Sequence, residues 1–275
     1  ICRQAVSESG IWKGLSRTER SVRKITDIDR YSRQTAYSGI GAEGQKRLLS
    51  STVVIVGQGA LGTASSSFLT RAGVGRLILI DDDRVELSNL QRQTLYEQAD
   101  VGRLKAECAK EHLERINSDV SIEAVCKRLT DGNADALLSE ADVVVDATDN
   151  FPARECINLW CVRHGTPWIY GGVAGSEGMT MNILPGGPCF KCLMPGEAPK
   201  KDDCADASTR GIISTLPSFI SSVQCTEAMK ILARGADDPA VRRTLVYADL
   251  FRNFYEQHEI KALPGCPVCG RKGDL

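Results

Sequence analysis

The sequence is short of several residue types, and each shortage excludes something. Only three histidines occur in 275 residues. None of His112, His164 and His258 sits in a recognisable motif, so imidazole acid–base chemistry is not expected. No run of about 18 apolar residues exists, so neither a transmembrane helix nor a membrane partner is expected. Charge of one sign is missing too: the net value is −1, which gives no bulk attraction to nucleic acid or an anionic surface. The segment Ile1–Lys24 is polar and basic without an apolar stretch and begins without Met; no secretory signal is expected. Cysteine is the exception, at eleven. An odd total in a chain of this length argues against a disulfide framework and for a reducing, cytoplasmic setting.

What is present fits a soluble globule with one large α/β domain or two small ones, 42% hydrophobic and 25% charged. Residues 1–28 read as an arm or leader, and 29–50 as helical. Thr52–Val56 (TVVIV) is a continuous β-branched run, as in a buried parallel strand. A helix follows to about Ala72, stopped by Gly73 and Gly75. Further strands are expected at Leu77–Ile80, Ser121–Val125, Asp142–Asp146 and Trp168–Gly171. Helical patterns at 103–116, Ala134–Leu138 and Pro152–Arg163 separate them. This alternation predicts a Rossmann-like, doubly wound, mostly parallel sheet. Beyond residue 172 the pattern changes. A strand at Met179–Leu184, a loop over 185–211, a long helix at Ile212–Ala233 and a hairpin of Arg243–Asp249 with Asn253–Ile260 predict a mostly antiparallel extension. The division expected is 29–172 for nucleotide binding and 173–275 for a second region packed into the same body.

Gly57-Gln58-Gly59-Ala60-Leu61-Gly62 lies between the first strand and its helix. Glycines there let backbone approach a phosphate, and the helix N-terminus offers N–H groups to the anion. Asp81, about 20 residues on at the end of the next strand, is placed to accept from ribose hydroxyls. Alone, this pattern fits a dinucleotide oxidoreductase as well as an ATP enzyme. The segment Asp81–Gln93 then adds Asp83, Asn89, Arg92 and Gln93. Lys105 stands at a helix start, and Asp149 stands just past a strand end. Two cations with an acidic metal ligand suit ATP with Mg2+ rather than NAD.

Six cysteines stand alone (Cys2, Cys108, Cys126, Cys156, Cys161, Cys225) and read as small buried hydrophobes. Four form two pairs, Cys189-x-x-Cys192 and Cys266-x-x-Cys269, about 70 residues apart. Two such pairs make a tetrahedral four-thiolate Zn2+ site with no position left for water, hence a structural one. Cys204 differs, because it sits among Lys200, Lys201, Asp202, Asp203 and Asp206 rather than in an apolar run.

The DxDxVxxSNLxRQ segment, the preceding GxGxxG, the GxxKA lysine, the TDN turn and the two CxxC pairs together resemble the MoeB/ThiF adenylyltransferases, bacterial relatives of the ubiquitin-activating enzymes. The resemblance runs over about residues 29–270. It implies that Gly57, Gly59 and Gly62 form the nucleotide turn and that Asp81 holds the ribose with Asp83 close by. Asn89, Arg92 and Gln93 would bind phosphates, Lys105 would neutralise charge at the α-phosphate, and Asp149 would carry Mg2+. Arg33, in a basic cluster from Arg30 to Gln34, would reach the neighbouring subunit's site in a homodimer. Cys204 matches a cysteine that in some members takes part in sulfur transfer or links covalently to the carrier. Three departures stand out: Ala60 and Ala147 replace a glycine and a cysteine common in the family, and residues 205–211 depart from its Ala-Gly-Val run.

The activity implied is transfer of AMP from ATP to the C-terminal glycine carboxylate of a small ubiquitin-like sulfur-carrier protein ending in Gly-Gly. The product would then become a thiocarboxylate in molybdopterin- or thiamine-type biosynthesis. No general base is needed, since the attacking carboxylate is already ionised at neutral pH. No rhodanese-like segment follows Leu275, so the sulfur donor is expected to be a separate molecule. Three rivals compete: an NAD-dependent oxidoreductase, activation of a non-protein carboxylate or a tRNA base, and an inactive scaffold.

Overall fold

The computed structural model describes residues 28–196 and 210–270. One eight-stranded sheet organises the chain, in the order β3-β2-β1-β4-β5-β6-β7-β8. Its parallel part is β1 (Thr52–Val56), β2 (Arg76–Ile80), β3 (Ser121–Val125), β4 (Val143–Asp146) and β5 (Trp168–Ala174). The antiparallel part adds β6 (Glu177–Ile183), β7 (Thr244–Asp249) and β8 (Phe254–Glu259), each paired with the strand before it. This is an α/β fold with a mostly parallel central sheet and an antiparallel C-terminal part, as the sequence pattern predicts.

The apolar runs of the parallel strands are explained by burial on both faces. Val53 and Ile55 of β1 join one core cluster, which also holds Leu48 of α1 (Gly41–Ser50), Leu69 of α2 (Ala60–Ala72), Leu113 of α3 (Lys105–Ile116) and Ile220 of α7 (Thr215–Arg234). Val54 and Val56 join the other, with Leu138 of α4 (Ala134–Leu138), Ile157 of α5 (Phe151–His164) and Phe190 of α6 (Phe190–Leu193). A two-sided strand needs apolar side chains at every position, which is why TVVIV lacks alternation. None of the described helices is long and apolar enough to cross a membrane.

Two local expectations change. The stretch 29–50 is not one helix: it comprises a 3₁₀ turn at Ile28–Tyr31, a one-turn helix at Ser32–Thr35, and α1 from Gly41. Gly41 takes φ +63°, a conformation that interrupts a continuous helix. The expected loop over 185–211 contains α6, one turn bounded by Cys189 and Met194; residues 197–209 lie outside the described part. The lone cysteines behave as read: Cys108, Cys156, Cys161 and Cys225 are buried and Cys126 is half-buried, while Cys2 falls outside the described residues.

Between β1 and β4 the strand order reverses, so the chain leaves β1 toward one side and β4 toward the other. A crevice opens at such a point, beyond the C-terminal ends of the strands. The turn Gly57–Gly62 forms one wall of it. Gly57 has φ +93°, and a Cβ there would lie 2.6 Å from the Ala147 carbonyl oxygen. A methyl at Gly62 would collide with the Gly57 carbonyl. At Gly59, by contrast, the nearest atom to an added Cβ is Gln93 Nε2 at 3.8 Å. Gly62 therefore serves packing, and Gly59 leaves backbone open to the crevice. We expect Gly62→Ala to cost about 1–3 kcal/mol, lowering Tm by roughly 3–10 °C in a thermal melt. Gly59→Ala should leave Tm nearly unchanged and weaken nucleotide binding instead. Equal destabilisation by both changes would remove the distinction.

Candidate active site

The crevice is a cavity of about 590 Å³. Its floor is the start of α2. Gly59 caps this helix without any side-chain hydrogen bond, and Ala60 and Leu61 line the cavity. The first-turn N–H groups thus have no side-chain partner, and the positive end of the helix faces the opening.

Asp81, at the end of β2, grips the turn. Its Oδ2 accepts from Gln58 N at 2.6 Å and its Oδ1 from Asp83 N at 2.8 Å. Burial pushes this carboxyl above its ordinary range, while Lys105 and the two backbone donors pull it back. Tyr96 supports the same turn from behind, its hydroxyl lying 2.8 Å from Gln58 O and 3.1 Å from Lys105 O. Lys105, at the first position of α3, is nearly buried and donates to Asp83 Oδ2 at 2.9 Å. Glu86 to Asn89 form a reciprocal cap in which Asn89 Oδ1 accepts from Glu86 N at 3.2 Å. Arg92 Nη1 donates to Ser88 O at 3.1 Å and makes no ion pair among the described residues. Gln93 is buried, and its Oε1 has no hydrogen-bond partner.

Asp149 projects from the β4–α5 turn. It is exposed, and its Oδ1 takes only a 3.4 Å contact from the Asn150 amide. Asn150 caps α5 by accepting from Ala153 N at 3.0 Å, which fixes the turn and leaves the Asp149 carboxylate open to the cavity. Such a carboxylate, beside a helix N-terminus and two cations, suits a hydrated divalent cation on a polyphosphate.

The sequence-derived set Gly59, Asp81, Asp83, Asn89, Arg92, Gln93, Lys105 and Asp149 thus lines one cavity. Gly57 and Gly62 shape its turn from behind. Arg33 is exposed on the Ser32–Thr35 helix and does not line the cavity of this single chain. Cys204 lies outside the described residues. Sequence reasoning missed Tyr96, Arg154 and Tyr170, of which the last two line the opposite wall. A charged residue in the first turn of a helix otherwise packed against the sheet was the available signal for Arg154.

The four paired cysteines converge, with their sulfurs all within 4.8 Å of one another. Cys189–Cys192, Cys189–Cys266 and Cys192–Cys269 are separated by 4.0, 3.7 and 3.4 Å. A tetrahedral metal with bonds of about 2.3 Å requires sulfur separations of about 3.8 Å, so the cluster has the size of a four-thiolate site. Leu263 N also donates to Cys192 Sγ at 3.4 Å, the outer-shell support usual for such ligands.

Residues 31–268 match the ThiF family. The chain belongs to the ThiF family. Among its ThiF relatives, the SAMP-activating enzyme E1 of Haloferax volcanii is 42% identical over 90% of this chain and 91% of its own length. The molybdopterin-synthase adenylyltransferase of Escherichia coli is 39% identical over 88% of this chain and 96% of its own. The solved structure of E. coli MccB with ATP superposes with a TM-score of 0.76 at 25% identity, covering 90% of this chain and 76% of that one. The matched span includes the glycine turn, the cavity residues and all but the last of the four clustered cysteines.

Proposed function

We propose that this ThiF-family chain adenylylates the C-terminal glycine carboxylate of a small ubiquitin-like sulfur-carrier protein. One observation carries the reading: the glycine turn, Arg92, Lys105 and the open Asp149 carboxylate share a single cavity, in a chain whose relatives are named adenylyltransferases of sulfur carriers. A hydride-transfer site has no use for that combination.

ATP lies with its ribose toward Asp81 and its phosphates over the N-terminus of α2. Asn89, Arg92 and Gln93 bind the terminal phosphates, and Lys105 the α-phosphate. Asp149 holds Mg2+, which on binding would screen the phosphate charges. The carrier's carboxylate oxygen attacks the α-phosphorus. The bond to the bridging oxygen breaks, and pyrophosphate leaves with the electron pair. These groups lower the barrier by positioning and by meeting the charge spread over the phosphates. Displacement of AMP by a sulfur donor outside this chain completes the route to a thiocarboxylate. Arg33 completes a second subunit's site in a homodimer, and Cys204 takes part in the sulfur step. Residues 29–172 supply the nucleotide site and 173–275 the carrier surface, where the four cysteines bind Zn2+ as a structural clasp.

Purified protein should catalyse ATP–pyrophosphate exchange only when a matching Gly-Gly-ending carrier is added. A panel of carriers then names the pathway. Bound ATP with no exchange on any carrier would point to a small-molecule carboxylate instead.

A further inference from the structure

A buried cation stands in the cavity wall opposite the glycine turn. Arg154, on the first turn of α5, is 8% exposed, and its guanidinium lies 5.2 Å from the Tyr170 ring centroid and 5.8 Å from that of Phe151. Nη2 donates to Thr148 O at 2.6 Å and Gly171 O at 3.2 Å, so the side chain bridges the turn that carries Asp149 to strand β5. Nε lies 3.4 Å from Asp146 Oδ2, yet neither atom has a hydrogen-bond partner. Nη1 donates to no acceptor among the described residues, and Arg154 lines the cavity.

A guanidinium presents five N–H donors in a fixed fork matched to a carboxylate. Nε is the buried donor left without a partner, whereas Nη1, with no acceptor among the described residues, is left to whatever fills the cavity. Two other cavity cations are committed, Lys105 to Asp83 and Arg210 to Glu177 at 3.3 Å, while Arg84 and Arg92 line the cavity without an ion pair among the described residues. Gly172 adds no side chain to the wall that Tyr170 and Phe151 share with Arg154. A Cβ on Gly172 would lie 2.6 Å from the Tyr170 hydroxyl and 3.8 Å from Arg154 Nη2. The fully buried Asp146 carboxyl is pushed up by burial and pulled back by Arg154 and the Thr148 donors. In either protonation state the guanidinium keeps its Nη1 donors.

We propose that Arg154 receives the terminal carboxylate of the carrier's last glycine through Nη1, and so selects a free C-terminal acid over a blocked one. The inference rests on the carrier-adenylylation reading above. It makes Arg154 a substrate-binding residue rather than only a clamp on the Thr148 turn.

The test uses the full chain and one carrier prepared in two forms, with a free C-terminal acid and as the C-terminal amide. Each is titrated against protein holding a non-hydrolysable ATP analogue. Wild type should prefer the acid by about tenfold or more. Arg154→Gln should bring that ratio close to one, with the Kd for the ATP analogue unchanged within about twofold. Gly172→Ala, which narrows the approach without removing the arginine, should weaken acid binding and spare the nucleotide; it serves if Arg154→Gln does not fold. Retention of the acid preference by Arg154→Gln would overturn the inference while leaving carrier-dependent exchange intact. So would joint loss of nucleotide binding and thermal stability, which marks a clamp. A wild type that neither binds carrier nor exchanges pyrophosphate would instead sink the underlying function.

Discussion

Asp149→Ala is expected to lower carrier-dependent ATP–pyrophosphate exchange by about a thousandfold, on the order of 4 kcal/mol in the barrier. The size follows from the position of the carboxylate. It is open to the cavity, its one protein contact is the 3.4 Å amide of Asn150, and no other acid extends from the same turn. Asp81 is occupied by two backbone donors and Asp83 by Lys105, so neither is free to replace it. The substitution should be nearly silent in stability, within about 0.5 kcal/mol, because the cap of α5 belongs to Asn150. An unchanged melting curve with lost exchange therefore separates chemistry from folding. Asp149→Asn keeps the shape and loses the charge. It should raise the Mg2+ concentration needed for nucleotide binding, read by titration without turnover. Exchange above a tenth of wild type in Asp149→Ala would remove this residue from the mechanism.

Much of the site is legible in the sequence because its residues sit at places where backbone geometry constrains identity. Four consecutive apolar residues leading into a glycine turn fit a strand buried on both faces, and Val53–Val56 are buried at every position. Ser121–Val125 and Ala134–Leu138 form elements with the bounds their patterns predict. The paired cysteines are likewise legible, since CxxC spacing brings two sulfurs together whatever the fold around them. The opposite wall is not. Arg154 lines it, and Gln224 is buried outside it; both are polar residues on helices, and linear order does not reveal that they turn inward. Gln224 donates to Asp146 O at 2.9 Å and Ile169 O at 3.1 Å, tying α7 to β4 and β5, and this pairing spans some 78 residues of sequence. The broken start of the chain fails for a local reason. Helical periodicity runs through 29–50, but Gly39 and Gly41 carry a turn that periodicity alone does not detect. The segment around Cys189 reads as loop because one helical turn between two of the clustered cysteines is too short to show a period.

The second large effect concerns the cysteine cluster. Metal removal, or Cys266→Ser, is expected to free the segment from Lys261 to Gly270 and to cost about 3 kcal/mol or more, roughly 6–12 °C in Tm. Apart from Val268, which packs partly buried against the second core cluster, little else holds that segment. Residues 261–265 are all exposed, and the hydrogen bonds from Cys266 N and Gly270 N are made within the segment itself. Leu263 N donates to a sulfur, so even that contact depends on the cluster. The rest of the fold has two extensive cores of its own, which is why the loss should be partial rather than global unfolding. Trypsin should cut at Lys261 in chelated protein and spare it when Zn2+ is restored. The effect should also reach the cavity. Phe190, between Cys189 and Cys192, packs 5.1 Å from Tyr170 and 6.1 Å from Phe151 by ring centroids, and Arg154 lies over both rings. Metal-free protein should accordingly lose carrier binding before it loses ATP binding, whose contacts other than Asp149 lie on the glycine turn and the Asp81–Lys105 segment. Simultaneous loss of both would show that the clasp supports the whole domain, and equal stability with and without metal would show that the four sulfurs hold nothing.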